Sequence, residues 1–161
     1  MIVDAHAHLG IDVVFDEEQT EETLIMWNQR YDITASLVQP FVGRPYIEDT
    51  RAIHDRIHAL CRSHPGAFFG MASINPHLQP DVYEAEAERC VTQLGFKALK
   101  LTPIAHAADP SSRDGRHVFE TARRLGVPLM VHTGSGPRRP ARDARGLRLL
   151  CGAPLPPFTL R

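Results

Sequence analysis

The chain reads as an α/β protein of parallel strands joined by helical crossovers, and three observations predict it. Short apolar or alternating runs take turns with helical patterns from residue 2 to residue 132. Glycine and proline punctuate the changes, at Pro65-Gly66, Asn75-Pro76, Gly95 and Gly126. The residues able to do chemistry fall at the C-terminal ends of the strand-like runs. Such alternation implies right-handed crossovers, with the sheet covered on both faces or closed as a barrel, and an active site at the strand C-termini.

The first run, Met1 to Gly10, alternates: Asp4, His6 and His8 project to one face, Val3, Ala5 and Ala7 to the other. Leu9 to Phe15 is expected to be a loop, followed by an acidic run and a helix from about Thr20, a good N-cap, to Tyr31. The second strand spans Ile33 to Val42. A helix over Ile47 to Ser63 buries Ile53, Ile57, Leu60 and Cys61. The third strand, Ala67 to Ile74, precedes a helix over Pro80 to Leu94. Pro80 suits its first turn, Glu84, Glu86 and Glu88 are expected to face water, and Val82, Ala85, Val91 and Leu94 to pack. Phe96 to Thr102 is the fourth strand. A helix from about Ser112 to Leu125 leads to the fifth, Val127 to His132.

At 161 residues and 43% hydrophobic composition the chain is long enough for one domain with a real core. A formal net charge of −1 gives no electrostatic reason to expect nucleic-acid binding, and no apolar run is long enough to cross a bilayer. Met1 leads into a strand without a signal-peptide pattern. The cysteines Cys61, Cys90 and Cys151 are scattered and read as reduced thiols, so the expected location is cytoplasmic. The even charge hides a break after Gly136. Residues 137–161 carry six arginines against Asp143, a local charge of +5, together with five prolines. They read as an irregular tail, from a shifted reading frame or a truncation, following a domain over residues 1–136.

Two imidazoles two residues apart at a strand end lie on one side of it, where their nitrogens can converge on one metal ion. His6 and His8 are that pair, with Asp4 placed to orient them. His132 closes another apolar strand and is the natural third ligand. Three histidines on Zn²⁺ leave a position for water, whose pKa then falls to about 7. Lys100 shares the inward face of its strand with Ala98 and Thr102, a costly place for a charge. It could carry CO₂ as a carbamate bridging two metals, bind a substrate carboxylate or phosphate, or pair with a buried acid. His54 and His58, spaced i and i+4, superficially resemble a zinc motif but lack its glutamate, and are expected on a solvated helix face. Gly134-Ser-Gly136 reads as a tight turn. His64, His77, His106 and His117 receive no role.

Val-Asp-Ala-His-Ala-His, Phe-Gly-Met-Ala-Ser-Ile-Asn-Pro, Gly-Phe-Lys-Ala-Leu-Lys-Leu-Thr-Pro and Pro-Leu-Met-Val-His-Thr-Gly, in that order, resemble the amidohydrolase superfamily. The resemblance covers residues 1–136 and is nearest to the branch of aminocarboxymuconate-semialdehyde decarboxylase-like enzymes. It implies an incomplete (β/α)₈ TIM-type barrel of about five β/α units, with a divalent metal, usually zinc. The implied chemistry is hydrolysis of a small carboxylate- or amide-like substrate, or non-oxidative decarboxylation. His6, His8 and His132 match the family's metal ligands, and Lys100 a fourth-strand position that some branches carboxylate. The family's sixth-strand histidine and eighth-strand aspartate have no counterpart after Gly136, so full-rate catalysis is not expected. One rival reading is a non-catalytic fragment whose open edges self-associate or accept complementing strands. Another is a metal phosphoesterase of the TatD-like or histidinol-phosphatase type, which shares the Asp-X-His-X-His opening.

Overall fold

The computed structural model describes residues 1–12, 16–41 and 46–133. The elements run β1 (Ile2–Asp12), β2 (Glu17–Gln19), α1 (Glu21–Arg30), β3 (Ile33–Pro40), α2 (Ile47–Ser63) and β4 (Phe68–Ser73). They continue with α3 (Pro80–Thr92), β5 (Ala98–Leu101), α4 (Pro103–His106), α5 (Arg113–Leu125) and β6 (Leu129–Val131). The sheet order is β2-β1-β3-β4-β5-β6. All pairs from β1 through β6 are parallel except β1 with β2. Five parallel strands in sequence order, with helices between them, form an α/β half-barrel.

Of the segment expected to be a loop, residues 9–12 are instead strand. β1 continues to Asp12, and Glu17–Gln19 folds back beside it, pairing Gly10 with Gln19 and Asp12 with Glu17. Gly10 takes φ +102°, which lets the chain bend there at no Cβ cost. The β-branched Ile11 suits the extension. A short helix, α4, also occupies the connection after β5, where none was expected.

The helix starts follow local chemistry. Thr20 Oγ1 accepts from the Thr23 N–H at 3.2 Å, and Ser112 Oγ from the Gly115 N–H at 3.1 Å, each satisfying an orphan donor. Gly126, at φ +68°, closes α5 in the left-handed conformation. Strand alternation then separates two faces. Leu9, Val38, Ala72, Leu99 and Leu101 point to the helices, where Ile57 and Val118 complete a dry core. His6 and His8, Gln39, Met71 and Ser73, Lys100 and Thr102, and His132 share the opposite parity. The sequence pattern thereby concentrates its polar strand residues on the inner face.

Burial in the helix layer corrects two expectations. Glu86 is fully buried rather than facing water, while Ala85 is exposed. His54 is likewise fully buried rather than on a solvated face. The two errors have one cause: His54 and Glu86 face each other across α2 and α3, 2.7 Å apart, so each supplies the partner that makes the other's burial tolerable. No described helix is long and apolar enough to cross a membrane. The tail expected over 137–161 lies outside the described residues, as does the turn at Gly134-Ser-Gly136.

Candidate metal centre

β1 brings His6 and His8 to one face, with ring centroids 4.9 Å apart. β6 delivers His132 to the same place: its ring lies 5.7 Å from that of His6, edge to face. The His132 N–H donates to Leu101 O at 2.9 Å, extending the β5–β6 ladder by one residue and fixing where the side chain emerges. Lys100, one strand in, reaches across to place Nζ 3.3 Å from His6 Nε2. The structure therefore brings together all four residues singled out from the sequence.

Hydrogen bonds set the imidazole tautomers. His8 Nδ1 lies 3.2 Å from Pro40 O, an acceptor, so Nδ1 carries the proton and Nε2 a lone pair. His8 is also stacked on Phe41, centroids 4.6 Å apart, which holds its plane. The Lys100 ammonium donates to His6 Nε2, which makes that nitrogen an acceptor too. Two Nε2 lone pairs facing inward, with a third imidazole beside them, are the donor set a borderline-soft divalent cation takes.

Burial, then the neighbouring His6, holds His8 down at about 4. Burial, then Lys100 and His132, lowers His6 as well. Both rings are therefore neutral at physiological pH, the form that can ligate. Lys100 is 2% exposed, and burial pulls its amine down to about 8. Among the described residues no carboxylate forms an ion pair with it, which removes the reading of Lys100 as one half of a buried salt bridge. Asp4 acts differently from the expectation: Oδ1 accepts the backbone N–H of His6 at 2.9 Å, bracing the strand rather than an imidazole.

Gln39 and Phe41 belong to the site and were not foreseen. Gln39 Nε2 stands 3.4 Å from His8 Nε2. A polar residue just before Pro40 at a strand end was the available signal.

A second set of donors, His54, Glu86 and Cys90, lies within 4.8 Å, all buried. Its hydrogen bonds argue against a cation. His54 Nε2 accepts the Ser73 N–H at 3.3 Å, so Nδ1 bears the proton it gives to Glu86. Arg51 and Arg89 also donate to the Glu86 carboxylate, filling it with positive partners. Burial raises the Cys90 thiol far above its ordinary range, so the thiolate is not formed. These residues tie α2 and α3 to β4.

His77, given no role from sequence, bridges the last residue of α4 and the first turn of α5. Its Nδ1 is 2.7 Å from Asp114 Oδ2 and its Nε2 is 2.7 Å from His106 O.

Comparison with known proteins agrees with this fold. An amidohydrolase family model matches residues 3–157, running past Gly136. A gamma-resorcylate decarboxylase from Rhodococcus jostii is 29% identical over 140 residues, covering 80% of this chain and 40% of that protein. The crystal structure of a putative amidohydrolase from Staphylococcus aureus superposes with a TM-score of 0.66 at 23% identity, covering 83% of this chain and 47% of that one. A dihydroxybenzoic acid decarboxylase from Polaromonas, with bound manganese and the inhibitor 2-nitroresorcinol, superposes with a TM-score of 0.64 at 18% identity, covering 86% and 50%. The chain thus spans about half the length of the relatives it matches. With the ordered strand motifs, the half-barrel and a match over nearly its whole length, the chain belongs to the amidohydrolase family.

Proposed function

We propose that this chain carries the metal-binding half of an amidohydrolase-type site, in which His6, His8 and His132 hold a divalent cation and Lys100 draws in a substrate carboxylate. The observation that carries the reading is the convergence, on the inner face at the strand ends, of three imidazoles and a lysine with no acid partner among the described residues. The cation, when bound, supplies Lewis acidity toward water or a substrate oxygen. Lys100 supplies a fixed positive charge in a buried setting, where attraction to an anion is strong.

The reaction class we favour is non-oxidative decarboxylation of a hydroxybenzoate: the carboxyl group leaves as CO₂ and a proton takes its place on the ring. The Rhodococcus and Polaromonas relatives support this choice over hydrolysis. The all-imidazole set suits Zn²⁺, whereas the Polaromonas structure holds manganese. The edge of β1 over residues 2–9 and the outer edge of β6 have no strand partner among the described residues. They support self-association, or complementation by further strands, as the state in which the site works.

The test separates binding from turnover. The chain is loaded with Zn²⁺ or Mn²⁺, its metal content measured by elemental analysis, and CO₂ release from 2,6-dihydroxybenzoate followed. We expect near-stoichiometric metal, lost in His132→Ala and in the His6→Ala/His8→Ala double variant, and CO₂ release that tracks metal content. Metal content unaffected by either variant would sink the assignment. Full metal with no CO₂ released would leave the centre and remove the decarboxylase reading.

A further inference from the structure

Among the described residues, two buried polar atoms of the inner face find no partner. Gln39 Oε1 and Thr102 Oγ1 make no hydrogen bond to any of them, on side chains 1% and 5% exposed. Neither is at the periphery. Gln39 pairs in register with His8, and Thr102 follows Lys100 by two residues on the same strand face.

Gln39 has one polar side-chain contact, from Nε2 to His8 Nε2 at 3.4 Å. The amide orientation follows from the His8 tautomer: with Nδ1–H given to Pro40 O, Nε2 presents a lone pair that attracts the NH₂ and repels the oxygen. A cation on His8 takes that same lone pair, so the Gln39 contact and the metal exclude each other. Once the metal is in place the amide has neither its donor nor its acceptor satisfied. A buried amide in that state is costly unless a ligand completes it.

The unpaired atom says what kind of ligand. Oε1 is an acceptor, so the group opposite must donate. A carboxylate cannot, and it already has Lys100. A hydroxyl can donate to Oε1 and accept from Nε2. We propose that Gln39 is a substrate-recognition residue that reads a phenolic hydroxyl next to the carboxylate of an aromatic acid. This rests on the reading in the preceding subsection, that the centre binds a metal and a hydroxybenzoate.

The experiment compares benzoate with 2-hydroxybenzoate, titrated calorimetrically into the full Mn²⁺-loaded chain, for wild type, Gln39→Leu and Gln39→Met. Metal content and near-ultraviolet dichroism are measured on each. Wild type is expected to prefer 2-hydroxybenzoate by about tenfold, the worth of one well-placed hydrogen bond. Both variants should keep their metal and their benzoate affinity and lose the preference. A preference that survives in both variants, or is absent from wild type, overturns the proposal. So does loss of metal from both, which would make Gln39 a support for His8 alone. If metal-loaded wild type binds neither acid, the hydroxybenzoate reading itself has failed and this inference falls with it.

Discussion

Lys100 Nζ stands 3.3 Å from His6 Nε2, joining residues 94 positions apart in the chain. An ammonium pointed at a nitrogen lone pair occupies the direction a metal would use, and two positive charges in one buried place repel. The two can coexist when an anion sits between them or when the amine is neutral. Lys100→Met should therefore bind metal at least as tightly as wild type. Its affinity for benzoate should fall by about tenfold or more, the loss of a charge-assisted hydrogen bond. Calorimetric titrations of Mn²⁺ and then benzoate check both halves. Weaker metal binding in the variant would mean that the lysine supports the centre directly.

Glu86 is the charged hub of the helix layer. Burial alone would raise its pKa, but hydrogen bonds from His54 and Arg89 outweigh it and hold the carboxyl at about 2, against an ordinary 4.5. A depressed carboxyl stabilises the fold above its unfolded value and loses that contribution as pH falls through the folded one. Denaturant midpoints should thus fall between about pH 4.5 and about pH 2. In Glu86→Gln that part of the decline should be smaller. The variant itself should lose about 1–3 kcal/mol at neutral pH, since the hydrogen bonds from Arg89 and His54 lose their charged acceptor while Arg89 keeps Asp55. An unchanged midpoint would show the network to be dispensable.

His77 faces an acceptor on each ring nitrogen, Asp114 on one side and the His106 carbonyl on the other. Only the imidazolium can donate to both. The Asp114 hydrogen bond first, then the His106 carbonyl, raise its pKa above the ordinary 6.5. A raised histidine stabilises below its unfolded value, and that contribution is lost as pH rises through the folded one. Amide hydrogen exchange at His106, Ala107 and Ala108, corrected for intrinsic rates, should accordingly be faster at a pH well above the ordinary 6.5 than at one below it. His77→Ala should show the faster exchange at both pH values. Equal protection in wild type across that range would contradict a charged tether.

Gly115 sits in the first turn of α5, where alanine is intrinsically the better helix former by about 1 kcal/mol. A Cβ there would overlap the backbone of Asp109 and Pro110. Gly115→Ala should therefore destabilise, by about 1–3 kcal/mol, against its propensity. Thermal melting measures the sign. A stabilised variant would mean that the turn before α5 yields freely.

The parallel strand order, the Thr20 cap, the helix start near Ser112 and the inward set His6, His8, Lys100 and His132 were legible because each rests on local chemistry or on period-two alternation. The β1–β2 hairpin was not. Its strand continues through a glycine at φ +102°, and its partner is three polar residues with no apolar alternation to announce it. His54 and Glu86 were misplaced for a related reason. Charge predicts exposure unless a partner is present, and theirs comes from another helix, 32 residues away.

By itself the sequence determined the class of fold, the end of the strands where the chemistry gathers and the donor types available there, since all three follow from residue order and side-chain period. Only the tertiary structure decided which lone pairs face inward, that Lys100 lacks an acid partner among the described residues, and that Gln39 lies beside His8. Those depend on the packing of β1, β3 and β5 against one another. Contacts of that kind, set by the meeting of distant residues, have no signature in the local pattern of any one strand.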